Sequence, residues 1–108
     1  MLELMADDVE YVDVPTGRVS VGHDGVRRMA TGVSERFEEI SLRALSAQTD
    51  GGRYAIEYEV AISFDPGRNV VLPGVAVGEI GSDGKVTSHR DYYDRSSFPP
   101  NPVTEEHA

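Results

Sequence analysis

Four stretches of alternating side-chain character, at about 40–49, 53–64, 69–80 and 85–94, are separated by Asp50-Gly51-Gly52, Asp65-Pro66-Gly67 and Ser82-Asp83-Gly84. Each separator carries the glycine and aspartate chemistry of a tight hairpin turn. This rhythm leaves no room for crossover helices, so the second half of the chain reads as an antiparallel meander. Before it, Gly22-His23-Asp24-Gly25 opens a helical pattern in which Val26, Met29, Ala30, Val33 and Phe37 recur at three and four. Asp24 is the expected N-cap. Gly32 inside this pattern costs up to about 1 kcal/mol and is expected to mark a close packing contact. Val9 to Val14 alternates as a further strand ended by Pro15-Thr16-Gly17, and Leu2 to Ala6 reads as the last turn of a helix. The expected fold is α+β: a curved antiparallel sheet of at least five strands wrapped around one helix near 24–37. Such a sheet forms a cone with one open end.

A chain of 108 residues suits one domain, expected over 1–95, with residues 96–108 as a Pro-rich tail containing Pro99, Pro100 and Pro102. The net charge of −9 disfavours nucleic acid and anionic membrane, both of which need clustered Lys and Arg. No apolar run approaches the about 18 residues that would span a bilayer, and no signal peptide is visible. Without cysteine there is no thiolate chemistry and no disulfide framework, and the expected compartment is the cytoplasm.

The segment Gly84 to Asp94 carries the densest chemistry. Residues two apart on a strand share a face, so His89, Asp91 and Tyr93 line one wall. In the strand 53–64 one face, Tyr54, Ile56, Tyr58, Val60, Ile62 and Phe64, is apolar throughout and must be buried. With one helix available to cover it, a second copy of the sheet is the expected cover, giving a symmetric homodimer. Glu57 and Glu59 then point from the other face into the cone.

Asp8-Val9-Glu10-Tyr11-Val12-Asp13-Val14-Pro15, the Gly22-His23-Asp24-Gly25-Val26 helix start, and Gly84-Lys85-Val86 leading into His89-Arg90-Asp91-Tyr92-Tyr93-Asp94 together resemble the nuclear transport factor 2-like superfamily. The likeness is to its SnoaL-like polyketide cyclase and limonene epoxide hydrolase branches, and it runs from Leu4 to Phe98. It implies one or two helices before the first strand, of which only Leu2 to Ala6 are present in this sequence, so the N-terminal helices are expected to be largely absent. Resemblance to the epoxide hydrolases implies that Tyr11 and Asp13 occupy water-holding positions, Asp91 the base position and Glu59 the acid position. Glu57 stands where that family has a bridging arginine. The departure gathers Asp13, Glu57, Glu59 and Asp91 into a proton-sharing cluster, because neighbouring carboxylates raise one another's pKa. Steroid isomerases of the superfamily fit less well, since the later-strand segment Val71 to Val77 has no acid.

Two functions follow as expectations. One is a cofactor-free acid–base enzyme acting on a small, apolar, neutral molecule. Its catalytic set is Asp91, Glu59, Asp13 and Tyr11, with Glu57, His89 and Tyr93 as substrate-binding walls. The other is a non-catalytic ligand-binding or dimerisation module of the same fold. No recognised metal-ligand spacing is present, and neither a metal nor a cofactor is expected.

Overall fold

Turn chemistry sets the strand boundaries where the sequence puts them. Asp50 and Arg53 close the hairpin between two strands as a register pair around Gly51, whose φ of 64° lies in the left-handed region. The computed structural model of the protein describes residues 2–63 and 68–97. After a 3-10 turn at Leu2–Leu4, the elements are β1 (Met5–Asp13), β2 (Arg18–Val21), α1 (Gly22–Arg36), β3 (Glu39–Asp50), β4 (Arg53–Ser63), β5 (Asn69–Ile80) and β6 (Val86–Tyr93). A second 3-10 turn covers Arg95–Ser97. The 65–67 separator, Phe64, and the proline-rich segment from 98 onward lie outside the described residues.

The fold is α+β as expected, with one helix against a six-stranded open sheet in the order β2-β1-β6-β5-β4-β3. Strands β3 to β6 form the predicted antiparallel meander. Three features differ from the sequence reading. Residues 18–21 form a short strand that pairs antiparallel with β1, and β1 runs parallel to β6, so the sheet is mixed. A four-residue strand carries too little alternation to be read, and partners from opposite ends of a chain leave no turn signature. The N-terminal segment also becomes strand from Met5 rather than staying helical through Ala6.

Helix α1 packs its apolar stripe on β1 and β2, burying Val26 against Met5 and Val9. Full burial of a valine contributes about 1.5–3 kcal/mol. The helix begins earlier than its expected cap. Val21 is the N-cap and makes no side-chain cap bond, while Asp24 lies in the first turn, bonded to Arg27 at 2.7 Å. Gly32 marks no close contact, since a Cβ there would meet nothing within 4 Å.

A second core, Tyr58, Val60, Ile62, Leu72 and Ala76, lies on the inward face of β4 and β5. The apolar face of β4 is therefore the inner wall of the sheet, not a dimer seam. Alternation separates the two faces of a strand but does not say which one turns inward. Glu57 and Glu59 consequently sit on the outer face, where Glu59 pairs with Arg43 at 2.9 Å and Ser46 Oγ donates to Glu57 at 3.4 Å.

Candidate functional site

Sheet register brings the chemistry together in rows. Tyr54 on β4 is opposite Gly78 on β5, which is opposite His89 on β6, which pairs in turn with Tyr11 on β1. The next inward row holds Ile56, Ala76, Asp91 and Asp13, and the row beyond holds Tyr58, Gly74 and Tyr93. Directly opposed residues project to the same side of a sheet. Rows spaced two residues apart therefore place all of these side chains on one face of the sheet.

Gly74 and Gly78 let the tyrosines reach across β5. A Cβ at Gly74 would lie 2.5 Å from Tyr58 Cε1, and one at Gly78 would lie 2.2 Å from Tyr54 Oη. Real Cβ atoms do not approach other atoms so closely, so a side chain at either position would push the ring away. Across these gaps Tyr54 Oη meets His89 Nδ1 at 2.6 Å, and Tyr58 Oη donates to Asp91 Oδ1 at 3.2 Å.

Asp91 is the hub. Tyr11 donates to its Oδ2 at 2.5 Å, and His89 Nε2 meets the same Oδ1 as Tyr58, at 3.1 Å. The Tyr11 ring stacks on His89 with centroids 4.6 Å apart, holding the imidazole flat against β1. Both partners of the His89–Asp91 pair are more than four-fifths buried, at 17% and 18% exposed. A second polar pair adjoins it, with Tyr93 Oη donating to both Asp13 oxygens at 2.8 and 2.9 Å.

The electrostatics follow from this wiring. Burial pulls the Asp91 carboxyl upward as the largest single influence. The hydrogen bonds from His89 and Tyr11, the charge of His89 and the bond from Tyr58 together outweigh it, so Asp91 sits below the ordinary aspartate value. The phenols move the other way. Burial first, then the Asp91 charge, raises Tyr11 and Tyr58 far above the usual phenol value, and Tyr54 to about 12. Burial and the hydrogen bond to Asp13 raise Tyr93. The site at neutral pH is thus an ionised carboxylate ringed by protonated phenols.

That charge state sets the His89 tautomer. An ionised carboxylate only accepts, so Nε2 carries a proton toward Asp91. In the neutral ring Nδ1 is then a lone pair, which accepts from Tyr54. In the imidazolium it donates to Tyr54 instead. Tyr54, His89 and Asp91 therefore form a chain along which a proton can move by one hydrogen bond. The logic is that of a triad whose hydroxyl is a phenol.

Of the seven residues singled out from sequence, Tyr11, Asp13, His89, Asp91 and Tyr93 meet on one face. Glu57 and Glu59 do not. Tyr54 and Tyr58 were missed, although the signal was present: two tyrosines four apart on an apolar face, with Gly74 and Gly78 at the same spacing on the next strand. Tyr58, one residue before Glu59, is the β4 side chain that reaches Asp91. Among the described residues no three His, Asp or Glu side chains converge as a metal site, and no helix is long and apolar enough to cross a membrane.

The SnoaL-like domain model matches residues 1–89. No curated protein matches the sequence. Among solved structures, a hypothetical protein with a ketosteroid isomerase-like fold from Catenulispora acidiphila, in complex with trimethylamine, is similar at 22% identity and TM-score 0.83, covering 89% of this chain and 74% of that one. TerC co-crystallised with polyporic acid is similar at 23% identity and TM-score 0.82, over 90% and 78% of the two chains. An LEH-like epoxide hydrolase of M. tuberculosis is similar at 26% identity and TM-score 0.67, over 89% and 69%.

Proposed function

We propose that this chain, which belongs to the SnoaL-like domain family, is a cofactor-free acid–base catalyst for a small, largely apolar molecule. The observation that carries the reading is the partly buried chain from Tyr54 through His89 to Asp91. His89 is the proton-transfer group. Asp91 holds its tautomer and stabilises the imidazolium that forms when Tyr54 passes its own proton to Nδ1 and takes one from the substrate; in the reverse direction Nδ1–H returns a proton to the phenol as the phenol protonates a substrate oxygen. Tyr11 fixes the ring by stacking, and Tyr93 with Asp13 forms a second polar wall. Proton transfer next to a carbonyl, or protonation of an epoxide oxygen, suits this arrangement. Glu57 and Glu59 take no part, and with them goes the two-carboxylate epoxide-hydrolase mechanism.

A homodimer through the outer face of the sheet completes the proposal. Val71 is 63% and Val75 40% exposed there, and Tyr92 on the neighbouring strand is 43% exposed. Register aligns Val75 with Tyr92 and Ala61 with Val71, so the apolar side chains are contiguous.

A non-catalytic binding module is favoured by one feature: both Asp91 oxygens are already engaged within the protein. Deuterium incorporation from D2O into a panel of small cyclic ketones, together with opening of small epoxides, separates the readings. The acid–base account expects acceleration by the native protein, abolished in His89→Gln and lowered about 10²–10⁴-fold in Asp91→Asn. Binding of the panel without turnover by the native protein would establish the binding module instead.

A further inference from the structure

Between the edge strand β2 and the start of α1 lies a groove of about 420 Å3, lined by Arg18, Val19, Ser20, Val21, Gly25, Arg28 and Met29. Neither Arg18 nor Arg28 makes a side-chain ion pair or hydrogen bond to a described residue, so two uncompensated guanidinium groups line one groove in a protein with 19 acidic and 10 basic residues. Asp13, the acid opposite Arg18 in the sheet, is turned to the Tyr93 hydroxyl. Asp24 on the helix is bonded to Arg27.

A third feature is a donor. Ser20 lines the groove, and its hydroxyl bonds to no described residue, so it is free to donate to a molecule bound there. The groove also adjoins the acid–base site, because Ser20 pairs with Tyr11 and Arg18 with Asp13 on the same face.

We propose that this groove is an anion subsite that holds a carboxylate of the substrate, with Arg18 and Arg28 as its charge partners and Ser20 as a donor. The inference rests on the acid–base reading and narrows its substrate class: an apolar body bearing one carboxylate. That body would lie over Tyr11 toward His89. Guanidinium groups suit a planar carboxylate through paired N–H donors.

Benzoate is the probe, with neutral benzamide as its control, both titrated at constant ionic strength and followed by backbone amide NMR. Benzoate should saturate, shifting the amides of Ser20, Gly25 and Tyr11, and benzamide should not. Arg18→Gln and Arg28→Gln should each weaken benzoate about five- to ten-fold, the two together more, with melting curves unchanged because both side chains are exposed. Equal binding of benzamide, or benzoate binding that is indifferent to both substitutions, would overturn the subsite. So would the absence of benzoate binding. The ketone assay uses neutral substrates, so turnover there without benzoate binding removes this inference alone. Arginine-dependent benzoate binding without turnover supports the subsite and removes only the acid–base reading.

Discussion

Gly74→Ala tests the packing that brings β4 chemistry onto β6. The added methyl would sit 2.5 and 2.6 Å from Tyr58 Cε1 and Cζ and 2.8 Å from its hydroxyl, where ordinary contact begins at 3.4 Å. The ring must retreat by about 1 Å, which breaks its 3.2 Å bond to Asp91. Overpacking of this kind costs about 1–3 kcal/mol, and loss of the bond to a charged acceptor about 1.5–3 kcal/mol. The total of about 2.5–6 kcal/mol should lower Tm by about 10–35 °C in a domain of this size. Thermal and urea melts of Gly74→Ala, Tyr58→Leu and the double variant form the assay. Removing the ring removes the clash, so the double variant should cost at least about 1 kcal/mol less than the sum of the singles. Additive costs, or a Gly74→Ala protein as stable as the native one, would refute the argument.

Asp91→Asn should destabilise by about 2–4 kcal/mol near neutral pH, since three donors lose an ionised acceptor. The folded Asp91 value is depressed, so its contribution is full above the unfolded value of about 4 and lost as pH falls through the folded value. Urea melts from pH 3 to 7 should therefore show a shallower acid slope in the variant, and an identical slope would contradict the assignment. Tyr11, Tyr54, Tyr58 and Tyr93 all carry raised folded values. Their contribution is present below the unfolded value of about 10 and is lost as pH rises through the folded ones. Absorbance at 295 nm should show four phenols resisting ionisation at pH 11 until the protein unfolds, and ordinary titration of those four would count against the burial described. Val75→Lys places a charge on the proposed outer seam and should shift sedimentation from dimer to monomer without changing secondary structure. A native monomer at micromolar concentration would remove the dimer proposal.

Much of the fold was legible because it is written in local chemistry: the turns at 50–52 and 82–84, and the helical spacing from Val26 to Val33. The parallel β1–β6 pairing was not, because it joins residues about eighty apart with no turn between them. On the site, the shared face of His89, Asp91 and Tyr93 followed from strand geometry alone. The face of β4 was inverted for a physical reason. Tyr54 and Tyr58 count as apolar in a periodicity argument, yet they are amphipathic: their rings pack over Gly78 and Gly74 while their hydroxyls enter the polar site. Glu59 was placed in the pocket by its match to the acid position of the epoxide hydrolases, but Tyr58 one residue earlier is the side chain that reaches Asp91, and a shift of one residue on a strand changes the face.

The central claim is that Asp91, ionised and buried, sets His89 to give Nε2–H toward itself and Nδ1 toward Tyr54. Nitrogen-15 NMR of the His89 ring, in protein labelled at histidine and held at a pH where the ring is neutral, reads this directly. The account predicts a protonated Nε2 and an unprotonated Nδ1 that accepts a hydrogen bond, with the Nδ1 shift altered in Tyr54→Phe. A ring protonated at Nδ1 with a free Nε2 would contradict it.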